Sequence, residues 1–397
     1  HIGMLVPEAH QIYVCAVNCM RGVVLTAAEM GASDRFSCVI LKEEDITRGT
    51  VERVTYEGVA DVIGKLPKRP PCVIVFPVCT HHYLGVHMEH IYRRLGETFP
   101  DIDFIRAFMD PIFRKRLPPD QRLRKVMYDP LPACEAEPSA VALLGSDFPQ
   151  GEDSDLPRLL AAGGKRLCSV HDCGNYAAYK RLSRAGTIVC VDPSGAYGAR
   201  AAAQRLDRGY LYLPKSFSGR EIRGQQEALC SALSLPVPDW DRSSALSDEA
   251  LEKARTALGD AAVVIDASAH PRPLGLARLL LEHGFRVKAV FLDSVSAEER
   301  DDHIWLREHA PTLMLMPVVR PEMRMAVRRY DEPVLAIGQK AAWFTGTDRF
   351  VNIVQGGGLW GFAGIRALAG MMEEAWRMPK DAGDLIPRKG LGCISCI

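Results

Sequence analysis

The chain has 397 residues, with 49 Lys plus Arg against 49 Asp plus Glu and a formal net charge of zero. Hydrophobic residues make up 47% and charged residues 25%, as in an ordinary folded protein, and the length suggests two or three domains. The charge balance argues against a nucleic-acid binder that works through a basic field. No apolar run approaches the ~20 residues that span a bilayer, so neither nucleic acid nor membrane is an expected partner. HIGMLVPEAHQ at the start lacks the basic flank and apolar core of a signal peptide, and GCISCI at the end does not fit prenylation. A chain this long can bury a core without disulfide staples. The twelve cysteines are therefore read as mostly reduced thiols of an intracellular, cytoplasmic protein.

In chain order, YVCAVNCMRG places Cys15 and Cys19 before a helix-like segment carrying Arg21 and Gly22. Strands are expected at 35–41, 71–78, 103–109, 140–145, 165–170, 187–192, 210–214, 261–267, 285–293, 312–317, 333–338 and 349–355. Helices are expected at 50–65, 86–97, 174–185, 196–206, 219–233, 247–257, 273–283, 296–308 and 361–377. The strand segments are apolar without alternation and are separated by helical patterns, which is the signature of parallel strands covered on both faces. The fold class is α/β, with open, parallel, Rossmann-like sheets. Polar stretches at 145–155 and 235–250 divide the chain. The expected domains are 1–148 (N-terminal and cluster-binding), 149–245 (middle) and 246–370 (third), followed by the C-terminal helix end and a Cys-containing tail over 371–397.

In such sheets ligands sit outside the carboxyl ends of the strands. Cys15, Cys19, Cys79 and Cys173 all fall at such ends. Cys79 closes VIVFPV and opens the next helix, and Cys173 lies in VHDCGNY after a strand. Helix N-termini and a nearby Arg favour the thiolate. Thiolates are soft ligands that suit iron–sulfur clusters, copper(I) or zinc. Cys38, Cys72, Cys168 and Cys190 lie inside strand-like runs and read as small buried hydrophobes. His81, His82, His87 and His90 form a competing metal signal, although HxxH without the HExxH pattern is not a zincin. Gly356, Gly358 and Gly361 satisfy GxGxxG between a strand and a helix, which by letter is a dinucleotide fingerprint. No strand with an acidic end follows it, as that fingerprint requires. The sequence contains neither a P-loop GxxxxGK[ST] nor a GxSxG elbow. Cys393 and Cys396 stand as CxxC on a Gly-containing tail.

Together these motifs resemble nitrogenase component 1, a superfamily that includes the molybdenum–iron protein, dark-operative protochlorophyllide reductase, cofactor-assembly scaffolds and nitrogenase-like reductases. Cys15 to Val24 is similar to the first cluster-ligand motif, and either Cys15 or Cys19 can take the ligand's place. Cys79 to Gly85 resembles the motif with the last interface ligand. Cys173 with Asn175 and Tyr176 resembles the region holding the Cys ligand of the active-site cofactor. GGGLWGFAG resembles the Gly-rich segment before the C-terminal helix. The order of these motifs matches over roughly residues 10 to 375.

The resemblance implies three Rossmann-like domains and a homo- or heterodimer with a component 1-type subunit. It implies an interface iron–sulfur cluster of four irons or more, like the nitrogenase P-cluster, on Cys15, Cys19 and Cys79, or on this set plus a residue from the partner. Electrons would come from a separate ATP-dependent iron protein, in keeping with the missing P-loop. Cys173, Gly358 and Trp360 would line a second cofactor or substrate site, with a second metal cluster at Cys173. The segment carrying the family's middle interface cysteine is missing between Gly31 and Phe36, and Trp360 stands where nitrogenase has a cofactor His. The expected function is therefore an oxidoreductase subunit, handled anaerobically, that reduces a ligand other than dinitrogen. The alternatives are a dinucleotide-binding oxidoreductase using Gly356–Gly361 and a non-catalytic scaffold subunit of the same fold.

Overall fold

A computed structural model describes residues 2–107, 117–151, 154–321, 323 and 330–381. Cys393 and Cys396 lie outside the described residues, as does the end of the strand expected at 103–109.

The structure is α/β with three parallel sheets. The first comprises β1 (Ala9–Cys15), β2 (Phe36–Ile40), β3 (Cys72–Pro77) and β4 (Asp103–Arg106), in the order β2-β1-β3-β4. The second comprises β5 (Glu137–Leu143), β6 (Arg166–Ser169), β7 (Ala185–Cys190) and β8 (Gly209–Tyr212), in the order β6-β5-β7-β8. The third comprises β9 (Ala262–Asp266), β10 (Arg286–Phe291), β11 (Met314–Met316), β12 (Val334–Ile337) and β13 (Phe350–Val351), in the order β11-β10-β9-β12-β13. Each sheet starts at an inner strand, builds to one side, and then returns to build on the other. That reversal opens a crevice at the carboxyl ends of β1 and β3, of β5 and β7, and of β9 and β12.

The chain forms two compact units. The first contains the described residues of His1–Asp147 and Leu167–Tyr212, and the second those of Phe148–Arg166 and Leu213–Ser395. In the first unit β3 is buried at every position, which explains its unbroken apolar run CVIVFP. Val73 and Val75 face one way, onto Val59 and Ile63 of the helix Val51–Lys65 and onto Ile91 and Leu95 of the helix Met88–Thr98. Cys72, Ile74 and Phe76 face the other way, into a core with Met127, Tyr179 and Ile188. In the second unit Val263, Ile265, Leu335 and Ile337 share a core with Ile365, Leu368 and Met372 of the helix Gly361–Arg377. Val264, Ala336 and Phe291 share a separate core with Phe344.

All twelve strands expected from the sequence are present, and β1 is an additional one. The helix Val17–Glu29 carries Arg21 and Gly22 as expected but starts earlier, so that Cys19 lies within it rather than before it. Among the described residues no helix is long and apolar enough to cross a membrane.

Candidate metal centre

β1 ends at Cys15, and its last registered pair with β3 is Val14 with Pro77. Cys79 follows two residues after Pro77 and opens the short helix Cys79–Tyr83. Cys19 lies in the first turn of the helix Val17–Glu29. Cys15 and Cys19 thus follow the carboxyl end of β1, and Cys79 that of β3. Cys15 is buried, Cys79 half-buried and Cys19 exposed. Cys38, opposite Tyr13 on β2, and Cys168 on β6 are both half-buried, so the expectation that these two are buried hydrophobes needs correction. Cys72 and Cys190 are fully buried, as that reading expected.

Burial pushes the Cys15 thiol up to about 12, and the neighbouring Cys19 and Cys38 add to the effect. Burial also raises Cys38 to about 11. Metal-free, these sulfurs are neutral thiols, and a metal bound to them would displace their protons.

The helix Val17–Glu29 is poorly anchored. Its N-cap, Ala16, offers no side-chain hydrogen bond, and Ala27 is buried while Val17 is 64% and Leu25 52% exposed. Val24, Met30, Tyr83 and Leu84 of the same unit are also exposed. A cysteine-bearing helix with an apolar outer surface is an unfinished one.

The histidine signal resolves into packing. His81 is buried, its Nδ1 accepting from the Val78 N–H at 3.3 Å and its Nε2 lying 3.0 Å from Thr55 Oγ1. Burial holds it down at about 4. His90 pairs with Glu52 at 2.7 Å, and His87 stacks on His90. Among the described residues no three His, Cys, Asp or Glu side chains form a group that could hold a metal ion.

In the second sheet β6 leads into the turn Val170–Asp172. There the Asp172 carboxylate accepts from the Ser169 N–H at 2.8 Å and the Cys173 thiol donates to the Ser169 carbonyl at 3.3 Å. Asn175 caps the helix Tyr176–Lys180 by accepting from the Ala178 N–H at 2.8 Å. Burial raises the Cys173 thiol to about 11. Cys173 offers one sulfur at a strand end, with its proton engaged.

The Gly-rich loop belongs to the second unit. A Cβ on Gly356 would lie 2.7 Å from the His270 ring and 3.1 Å from the Lys215 side chain, and one on Gly358 would strike the Pro149 carbonyl oxygen. Gly361 has φ +73° and packs against the Asp155 carboxylate. Asp155 accepts from the Ala363 N–H at 3.0 Å and from Gln226 Nε2 at 3.1 Å. The helix N-terminus that would receive a pyrophosphate therefore already carries a carboxylate. Lys215 is buried and donates to the Gln355 and Gly357 carbonyls at 2.8 and 3.0 Å, holding the loop from the other side. Trp360 is 2% exposed, and its indole N–H donates to the Leu213 carbonyl at 3.0 Å. An indole is a donor only and brings no metal ligand.

Sequence reading missed Asp155 and Asp266. Asp266, at the end of β9, is buried and fills the third sheet's crevice. It accepts from the Ser268 and Ala341 N–H groups, both at 2.8 Å, and stands where a Cβ on Gly338 would fall. Burial raises its pKa.

With this geometry established, solved structures supply a match. Nitrogenase Cp1 at pH 6.5 superposes with a TM-score of 0.70 at 11% identity, covering 95% of this chain and 90% of that one. Nitrogenase Cp1 at pH 5 gives a TM-score of 0.57 at 11% identity, covering 94% and 86%. The chain has a nitrogenase-like fold. No family model matches the sequence, and no curated protein does.

Proposed function

We propose that this chain is a subunit of a nitrogenase-like iron–sulfur oxidoreductase, with Cys15, Cys19 and Cys79 as ligands of a cluster at a subunit interface. The observation that carries the reading is the placement of Cys15 and Cys79 at the ends of adjacent strands, at the crevice where β1 and β3 part. Such a crevice is the ligand position of open parallel sheets. The nitrogenase-like fold is independent support. Soft thiols suit iron–sulfur chemistry better than a hard cation.

When bound, the cluster would supply one-electron transfer between a donor protein and a reducible ligand. The residues of this chain would hold it, exclude water on the Cys15 side and leave the Cys19 side open. The apolar helix Val17–Glu29 on that open side suits a component 1-type sister subunit, either a second copy or a homologue. The absence of a P-loop motif from the sequence suits a separate ATP-dependent iron protein as electron donor. Cys173 stands as a single candidate ligand for a second group. Trp360 and Gly358 are candidates for the wall of a site rather than for ligation.

Nicotinamide binding through Gly356, Gly358 and Gly361 lacks comparable support, because Asp155 occupies the helix N-terminus. The reading is tested by purifying the full chain anaerobically and measuring iron and acid-labile sulfide. The wild type should be brown and Cys79→Ala should lose most of its iron. Equal iron in the two proteins removes Cys79 from the ligand set.

A further inference from the structure

The second unit contains a cavity of about 170 Å³, lying among the helices Gly219–Leu233, Trp240–Leu258, Pro273–Glu282, Arg300–His309 and Gly361–Arg377. It is close in size to the ~150 Å³ of an engineered cavity that takes benzene, and below the ~300 Å³ at which drug-sized sites begin. A guest that fits it has a body about as large as one six-membered ring.

One wall is apolar, formed by Phe217, Leu251, Leu279, Phe362 and Ile365, all of them part of the core. A second wall is charged, formed by Arg278, Glu282 and Asp302. The Asp302 side chain is 9% exposed and accepts from Arg272 at 3.0 Å and from Arg278 at 3.4 Å. Arg278 also donates to Glu282 at 2.9 Å, and Arg272 also pairs with Glu221. Two guanidiniums thus serve three carboxylates, which leaves one negative charge over. Asp248, on the exposed side, adds another carboxylate, 3.1 Å from His283. Gly275 keeps the charged wall accessible, because a Cβ there would stand 3.1 Å from Asp302 Oδ2.

Surplus negative charge beside two phenylalanine rings selects a cation with an apolar body. A carboxylate attracts an ammonium through its charge and an aromatic ring through its quadrupole, and partial burial strengthens both. An anion of the same size would meet the surplus carboxylate, and a neutral guest would gain only the apolar wall. Among the described residues no group of His, Cys, Asp or Glu could hold a metal ion, so the cation that fits is an organic one.

We infer that this cavity binds a small organic ammonium ion, with the ammonium at Asp302 and Glu282 and the apolar body against Phe217, Leu251 and Phe362. The site lies wholly in the second unit and stands or falls apart from the cluster reading.

The test is calorimetric titration of the full chain at pH 7 with cyclohexylammonium, cyclohexanol and cyclohexanecarboxylate, which share one body and differ in charge. The ammonium should bind saturably and about fivefold or more tightly than the alcohol, and the carboxylate should not bind. Ser244 lines the cavity and is half-buried, so Ser244→Phe fills the space and should abolish binding. Glu282→Gln should weaken it about threefold or more. A wild type that does not bind the ammonium, or binds the alcohol or the carboxylate as tightly, overturns the inference, and so does undiminished binding by Ser244→Phe. Should Ser244→Phe fail to fold, Glu282→Gln decides. Its side chain is 41% exposed, so the fold should tolerate the change, and an affinity equal to wild type overturns the inference.

Discussion

The Asp155 carboxylate accepts a hydrogen bond from the Ala363 N–H at 3.0 Å, capping the helix Gly361–Arg377 from a distant part of the sequence. It also binds Gln226 Nε2 at 3.1 Å and Arg158 at 2.5 Å, with its side chain 7% exposed. Removing it leaves a buried N–H and a buried amide without their acceptor while the helix dipole goes uncompensated. Asp155→Ala should lower stability by about 2–4 kcal/mol, and Asp155→Asn by about half that. Urea unfolding measures both, and a loss below about 0.5 kcal/mol for Asp155→Ala would remove the cap from the account.

The same cap bears on the dinucleotide alternative. Gly361, at φ +73°, and the Asp155 oxygen beside it leave no place for a Cβ. Gly361→Ala should therefore cost about 2 kcal/mol or more in stability through strain and collision with the carboxylate. Calorimetric titration of the wild type with NADH, NADPH or FAD should show no heat of binding. Saturable binding that Gly361→Ala abolishes, with the fold intact, would restore the nucleotide reading.

The strands legible in the sequence are those whose two covered faces make an unbroken apolar run, such as CVIVFP of β3. β1 was harder to read because AHQIYVC carries His10 and Gln11, both buried. His10 is satisfied by Ser37 at 2.8 Å on the neighbouring strand. A polar residue bonded across strands resembles a loop residue until its partner is known. Asp155 and Asp266 are unread for the same reason: the Ala363 and Ala341 N–H groups they accept from lie far along the chain. The positions of Cys15, Cys19 and Cys79 at element ends were legible, since strand and helix boundaries are local. Cys38 was read as core because local pattern gives the strand but not which side of it lies open.

The buried His270 gives the second unit a pH dependence. Its ring packs on Phe217, and its Nδ1 accepts from the Arg272 N–H at 3.0 Å. Burial, and then the positive charges of Lys215 and Arg272, push its pKa well below the usual value. Arg272 is itself paired with Glu221 and Asp302. Above pH ~6.5 the ring is neutral in both folded and unfolded chains and contributes no slope. Below ~6.5 the unfolded chain takes a proton that the folded chain refuses, so stability falls by up to about 1.4 kcal/mol per pH unit. His270→Asn keeps an acceptor for the Arg272 N–H and loses the titration. Urea unfolding at pH 7, 6 and 5 should give a shallower decline for His270→Asn, and matching declines would clear His270 of this role.

Trp360 provides a test of the Gly-rich segment. Its indole N–H satisfies the Leu213 carbonyl. Trp360→Phe keeps most of the volume but leaves that carbonyl unpaired in a buried setting, at about 1–3 kcal/mol. Trp360→His reintroduces an imidazole at the position suggested by the nitrogenase resemblance. Since this position is packed, the substitution should change stability without raising iron content. A gain in bound iron for Trp360→His would make this position a latent ligand site.

The exposed helix Val17–Glu29 yields a prediction separable from metal content. Leu25 is 52% exposed, so replacing it with Glu should change folding stability by no more than about 0.5 kcal/mol. An interface buries such a residue, and a carboxylate placed there must be desolvated without a partner. If this helix forms the contact between two copies, sedimentation velocity should show an assembly for the wild type and a monomer for Leu25→Glu at equal concentration. An assembly that survives Leu25→Glu unchanged would locate the contact elsewhere. Iron content of the monomeric variant then separates the two roles of this edge. If Cys15, Cys19 and Cys79 hold the cluster without the partner, the monomer should still take up iron but lose it faster to a chelator, because the exposed side of the cluster is uncovered.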